Sequence, residues 1–173
     1  MKRLFYILMS VAAVMMSCSD DDSFSTSRTN LLSLGCDTLS LDTIFSTVPT
    51  RTYGFWVHNN SSDGVRISQT RLERGNQTGF RVNVDGIYLD NSTGSQAQDI
   101  EVRKGDSIRV FVELTSQING SDTPQLVEDN LLFHLESGVE QKVNLRAWSW
   151  DAILYDSLRI DNDTTISSTK PVV

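Results

Sequence analysis

A length of 173 residues allows one compact domain with tails. Twenty-two acidic against 15 basic residues give a formal net charge of -7, so the chain lacks the basic footprint that nucleic-acid binding requires. Cys18 and Cys36 are the only cysteines, which excludes a framework of several disulfides.

The chain opens with a positive pair, Lys2 and Arg3, then an almost purely apolar run from Leu4 to Met16, then the small residue Ser17. That order is a secretory signal, and the run is too short for a comfortable membrane span. Met15-Met16-Ser17-Cys18 resembles a bacterial lipobox. The resemblance implies that the Cys18 thiol takes up diacylglycerol, that cleavage follows Ser17, and that acyl chains such as palmitate complete the anchor. Each buried methylene contributes about 0.8 kcal/mol and one chain alone binds only marginally, so a triacylated cysteine is a durable tether. Ser19, Asp20, Asp21 and Asp22 follow directly and are similar to the acidic export tag of Bacteroidota-type surface lipoproteins. The plainer reading of Asp20 to Asp22 is a solvated charge run. The address expected is the outer membrane, lipid-anchored and exposed at the cell surface. Removal of Lys2 and Arg3 leaves the mature chain still more acidic.

Residues 18–36 carry the lipidated cysteine and read as a tether, since Ser19 to Thr29 is mostly Ser, Asp and Thr with little to bury. With Cys18 consumed by lipid, Cys36 is a lone thiol, expected to act as a small buried hydrophobe. Thr38 to Val48 alternates, with Leu39 and Leu41 on one face, and predicts the first strand. Tyr53, Phe55 and Val57 alternate next, closed by the turn cluster Asn59 to Gly64. Val65 to Ser68 predicts a strand running on towards Leu72. Phe80, Val82 and Val84 share a face, and Asp85-Gly86 signals a hairpin into Ile87-Tyr88-Leu89. A polar loop is expected from Asp90 to Gln98, then Ile100 to Val102. Lys104-Gly105-Asp106 turns into the clearest strand, with Ile108, Val110, Val112 and Leu114 on one side and Arg109, Phe111 and Glu113 on the other. Gln117 to Asp129 reads as a long polar loop. Leu131, Phe133 and Leu135 alternate, Ser137-Gly138 turns, and Val143, Leu145 and Ala147 lead to Trp148.

Many short alternating strands divided by turn chemistry predict an all-β fold, an antiparallel β-sandwich with one wet face per sheet. The expected core is Leu41, Phe55, Val57, Ile67, Phe80, Val82, Ile108, Val110, Val112, Leu131, Phe133, Val143 and Leu145. Phe55-Trp56-Val57-His58-Asn59, Val65-Arg66-Ile67, Phe80-Arg81-Val82, Lys104 to Val110 and Val143-Asn144-Leu145 together resemble the Ig-like sandwiches of the ASH/MSP type. The resemblance covers residues 37–148 and implies an Ig-like fold of the kind that binds or scaffolds. The whole chain is also similar to the N-terminal region of larger Bacteroidota-type surface lipoproteins that continue into a right-handed β-helix. Leu145 to Trp148, Asp161 to Ile166 and Lys170 to Val173 carry that likeness. It makes residues 149–173 a tail, expected to be the first strand or two of a truncated β-helix.

His58 and His134 are the only histidines, each alone on a strand, and metal sites want clustered ligands. Asp161-Asn162-Asp163 lacks the rest of a calcium loop and reads as a solvated turn. No phosphate loop, nucleophile elbow or paired-carboxylate motif is present, so no catalytic residue, cofactor or metal is expected. Trp148 and Trp150, two apart on a strand, project to one face. They are expected to pack against a neighbouring domain or cap the sandwich edge; the alternative is a platform for stacking a sugar ring. Five triplets place Asp before Thr38, Thr43, Ser107, Ser157 and Thr164, and resemble the O-glycosylation acceptor of exported Bacteroidota proteins. Their plainer reading is turn chemistry at strand starts. The function expected is a non-enzymatic, lipid-anchored surface module for adhesion, scaffolding or ligand presentation, with a surface protein or glycan as partner. The alternative is a glycan-binding accessory lipoprotein of a polysaccharide-uptake system.

Overall fold

The computed structural model describes residues 23–173. The signal segment, Cys18 and Ser19 to Asp22 lie outside the described residues. Ten strands form two five-stranded sheets: β1 (Ser33–Leu34), β2 (Thr38–Phe45), β3 (Tyr53–His58), β4 (Val65–Leu72), β5 (Phe80–Val84), β6 (Ile87–Tyr88), β7 (Gln96–Val102), β8 (Ser107–Leu114), β9 (Gln125–Leu135) and β10 (Glu140–Trp150). One sheet runs β1-β3-β8-β5-β6 and the other β2-β10-β9-β4-β7. All pairings are antiparallel except β2 with β10, which is parallel. This is a β-sandwich.

Period-two alternation builds it. In β8, Ile108, Val110, Val112 and Leu114 are buried while Arg109 and Phe111 face solvent. Every residue of the expected core is buried, in one cluster fed by both sheets. The chain changes sheets between β1 and β2. Gly35 passes so close to β3 that a Cβ there would meet the Trp56 carbonyl at 2.8 Å, and its own N–H donates to that carbonyl at 2.9 Å.

Three stretches differ from their sequence reading. The polar loop expected from Asp90 to Gln98 ends early, because β7 begins at Gln96; Gln96 and Gln98 face outwards and the Gln69 amide donates to Gln96 Oε1 at 2.7 Å. The loop expected from Gln117 to Asp129 likewise ends at β9, which pairs with β10 from Gln125 onwards. Polar side chains on the outer face of β7, and in β9 the run Glu128-Asp129-Asn130 with Asp129 buried, made both strands look like loop. In the described part of 18–36, Phe24 bridges to Gly64 and Leu32 is buried, its N–H and carbonyl both held by the Gln141 amide at 3.0 and 2.8 Å.

An alternation break in β2 aims the residues that matter below. Arg146 pairs with Ser40 but Trp148 with Thr43, so β2 carries one extra residue there. Asp42 takes the bulge, with φ +59°. Leu41 and Ile44 therefore both point inwards, while Thr43 turns out to solvent. Beyond β10, Ile153 pairs in parallel with Val172; Ile153 donates to the Pro171 carbonyl at 2.8 Å and Val173 to the Ile153 carbonyl at 2.9 Å. The tail thus closes into a single loop, and most of its apolar side chains are exposed.

Candidate functional site

Two outer faces carry exposed aromatic rings. On the β2-β10-β9 sheet, Trp148 and Trp150 do share a face, but only Trp148 is open, at 41% exposure. It stands between Thr43 of β2 and Leu126 of β9. Trp150 is half-buried opposite Phe45, and its indole Nε1 donates to the Asp122 carbonyl at 3.0 Å. A buried indole normally finds such a partner, which makes Trp150 a clasp on the 116–124 loop rather than a free platform.

The opposite face carries the third tryptophan, whose neighbours the sequence did not reveal. There Trp56 of β3 pairs with Arg109 of β8, and the Arg109 guanidinium lies 4.8 Å from the Trp56 ring and 5.3 Å from the Phe111 ring. Both rings remain open, at 44% and 40% exposure. Phe111 lies over Gly54, where a Cβ would come within 3.3 Å of its ring and 2.7 Å of the Val110 carbonyl. The cross-strand row continues from Phe111 to Asn83 to Tyr88, which is 46% exposed. Beyond Tyr88 lies a groove of about 510 Å³ bordered by Arg81, Asp90 and Asn91. Arg81 is engaged already, donating to Thr115 Oγ1 at 2.7 Å and Glu113 Oε2 at 3.0 Å. The alternation of β8 was legible, but the partners of Arg109 and Phe111 depend on which strands lie beside it.

Thr38 and Thr43 are exposed on β2, and Ser157 and Thr164 on the tail; Ser107 is half-buried at the start of β8. Thr43 is the one that neighbours an exposed tryptophan. Cys36 is half-buried against the core, and burial, then the negative charge of Asp37, push its thiol above the usual range. It is protonated at neutral pH. His134 Nδ1 meets Glu140 at 3.2 Å, while His58 lies 6.3 Å from the Trp56 ring. Asp161 pairs with Arg159 in an exposed stretch. Among the described residues no three His, Cys, Asp or Glu side chains converge as a metal site.

Two buried carboxylates escaped the sequence reading, and both hold loops. Asp129 accepts the N–H groups of Arg74 and Asn130 and the Thr78 hydroxyl. Asp151 accepts the Ser46 hydroxyl, the N–H groups of Asn119 and Gly120, and the Lys170 ammonium.

No family model matches the chain, and no curated protein matches it. Among solved structures it is similar to a protein of unknown function from Porphyromonas gingivalis W83, with a TM-score of 0.50 and 9% identity over 76% of this chain and 50% of that one. The chain thus spans half the length of that protein. It is also similar to the ASH / PapD-like domain 7 of human CEP192, with a TM-score of 0.40 and 8% identity over 69% and 85% of the two chains. The fold is an Ig-like β-sandwich. At such identities the likeness is one of fold, and the faces described above have to carry any functional argument.

Proposed function

We propose that this chain is a non-enzymatic, lipid-anchored protein of the outer membrane, exposed at the cell surface, whose Ig-like sandwich serves adhesion, scaffolding or ligand presentation. The lipobox-like Met15 to Cys18 and the acidic residues after it support the address. The observation that carries the binding role is the exposed Trp148, held open between Thr43 and Leu126 on a flat sheet face. Trp148 and its cross-strand neighbour Leu126, 43% exposed, form an apolar pair of the kind that marks an interaction surface. Protease shaving of intact cells is expected to release the domain, and replacing Asp20 to Asp22 by Ala to protect it. Equal release from both strains would remove the tag from the reading. Mass spectrometry is expected to find lipid on Cys18, and Cys18→Ala to yield a protein free of the membrane; unchanged membrane association of that variant would sink the anchor.

The second reading, a glycan-binding accessory lipoprotein, draws support from the Trp56–Arg109–Phe111 surface, where rings and a cation alternate. On the other face, the Nε1 bond of Trp150 leaves Trp148 as the single open ring. A glycan array with the wild-type domain separates the two readings: binding supports the glycan reading, its absence a protein partner. Binding lost in Trp148→Ala assigns a glycan to the β10 face; no effect there leaves that face to a protein partner.

A further inference from the structure

We infer that the outer face of the β3-β8-β5 sheet is a binding surface for a carboxylate-bearing polysaccharide, with Arg109 recognising the carboxylate and Trp56, Phe111 and Tyr88 stacking the sugar rings. The proposal rests on the reading of this domain as a binding module, though not on its anchor. Arg109 is the centre of the argument. Its guanidinium stacks beside two rings, 4.8 Å from Trp56 and 5.3 Å from Phe111, and among the described residues it has no carboxylate partner. Stacking occupies the flat face of a guanidinium and leaves its in-plane N–H fork free, which is the geometry that grips a carboxylate with two parallel bonds. Packing against two rings restricts the Arg109 side chain, so less of its freedom remains to be lost on binding. Asp85, across the sheet, meets Arg109 only through the backbone, its N–H donating to the Arg109 carbonyl at 3.0 Å.

The surroundings favour a sugar chain over an acidic peptide. A pyranose ring has an apolar C–H face and a hydroxyl rim, and it is matched by flat rings interspersed with amide donors. Phe111 and Tyr88 flank Asn83 across two interstrand steps, about 10 Å. The Asn83 side-chain oxygen accepts the Gly86 N–H at 2.9 Å, and its amide NH2 has no partner among the described residues. Gly54 keeps the floor beneath Phe111 clear, since a Cβ there would press on the ring.

The test is retention of the full chain in affinity gels containing polygalacturonate, alginate or hyaluronate, with fully methyl-esterified polygalacturonate and poly-glutamate as comparisons. Retention by at least one acidic polysaccharide is expected, with the ester weaker by about tenfold, the size of one charge-assisted pair. Arg109→Gln is expected to weaken retention by a similar factor, and Trp56→Ala to weaken it while Tyr155→Ala, at an exposed position on the tail, does not. Arg109 is exposed, so its variant is expected to melt with the wild type; if Trp56→Ala melts lower, Trp56→Leu and Arg109→Gln decide. Absence of retention on all three polysaccharides overturns the proposal. Equal retention of acid and ester, or of wild type and Arg109→Gln, does the same. Arg109-dependent retention on poly-glutamate alone would assign the face to an acidic peptide instead. Failure of anchoring or surface exposure leaves these gels unchanged, so the two readings fail separately.

Discussion

The Ser46 hydroxyl and the Asp151 carboxylate meet at 2.7 Å across 105 residues of chain. Ser46 follows β2 and Asp151 follows β10, so the bond locks the ends of the parallel pair together. The same carboxylate takes the Asn119 and Gly120 N–H groups, which pins the 116–124 loop, and the Lys170 ammonium, which holds the tail. The backbone N–H of Asn119 first, then the Ser46 hydroxyl, the Gly120 N–H and Lys170 outweigh burial and hold the carboxyl below the usual carboxylate range. Because the folded value is depressed below the unfolded value of about 3.9, the stabilisation is present above that pH and is lost as pH falls through the folded value. Asp151→Asn is therefore expected to melt lower than the wild type at pH 7, with the gap narrowing as the pH is taken down towards 3. A gap independent of pH in melting curves would show that the charge is not what Asp151 contributes.

Asn59, directly after β3, is fully buried. Its amide nitrogen donates to the carbonyls of Asp63, Val102 and Arg103, and its oxygen accepts the Ser61 N–H at 2.9 Å. Asn59→Ala is expected to remove the side-chain donor from these carbonyls, with that of Arg103 still accepting the Asp106 N–H, and to cost about 2–3 kcal/mol in denaturant unfolding. Asn59→Asp, which keeps the acceptor and loses the donors, is expected to do no better.

Gly79 sits at φ +83°, and a Cβ there would lie 2.1 Å from the Thr115 carbonyl oxygen. Its own carbonyl accepts the Thr115 N–H at 3.1 Å, so neither strand end can give way cheaply. Gly79→Ala is expected to destabilise by more than about 1 kcal/mol, whereas Gly75→Ala, with positive φ but open space, is expected to cost less. Equal losses in the two variants would mean that backbone strain, not the clash, dominates.

Intact mass tests the glycosylation triplets. Glycans are expected at Thr38, Thr43, Ser157 or Thr164, whose positions are exposed, ahead of half-buried Ser107. A mass equal to the lipidated polypeptide alone, in protein from its native cell, would rule them out.

Hydrogen exchange tests the tail. The amides of Ile153, Tyr155 and Val173 are bonded in the short parallel ladder and are expected to be partly protected, while residues 156–169 exchange fast. Slow exchange belongs to β8, β9 and β10. Protection of 156–169 equal to those strands would mean that the tail is part of the domain's cooperative unit. The apolar residues of the tail, from Ile153 to Val173, are mostly exposed.

Alternation alone determined the strands and the core, because a side chain's side of a strand is fixed by local geometry. Ile108 and Val110 could only face away from Arg109 and Phe111. The same locality misled at Gln96, behind a polar outer face, and at Gln125, where the polar run ending in buried Asp129 concealed a strand held by its neighbours. It gave no account of Trp150, which shares a face with Trp148 but is drawn down by the carbonyl of Asp122. Only the tertiary structure placed Trp56 beside Arg109, bent β2 at Asp42 to turn Thr43 towards Trp148, and brought Ser46 to Asp151. These are cross-strand and end-to-end relations. They arise from which strands become neighbours and in what register, and that is decided by the packing of the whole sandwich, not by any single segment.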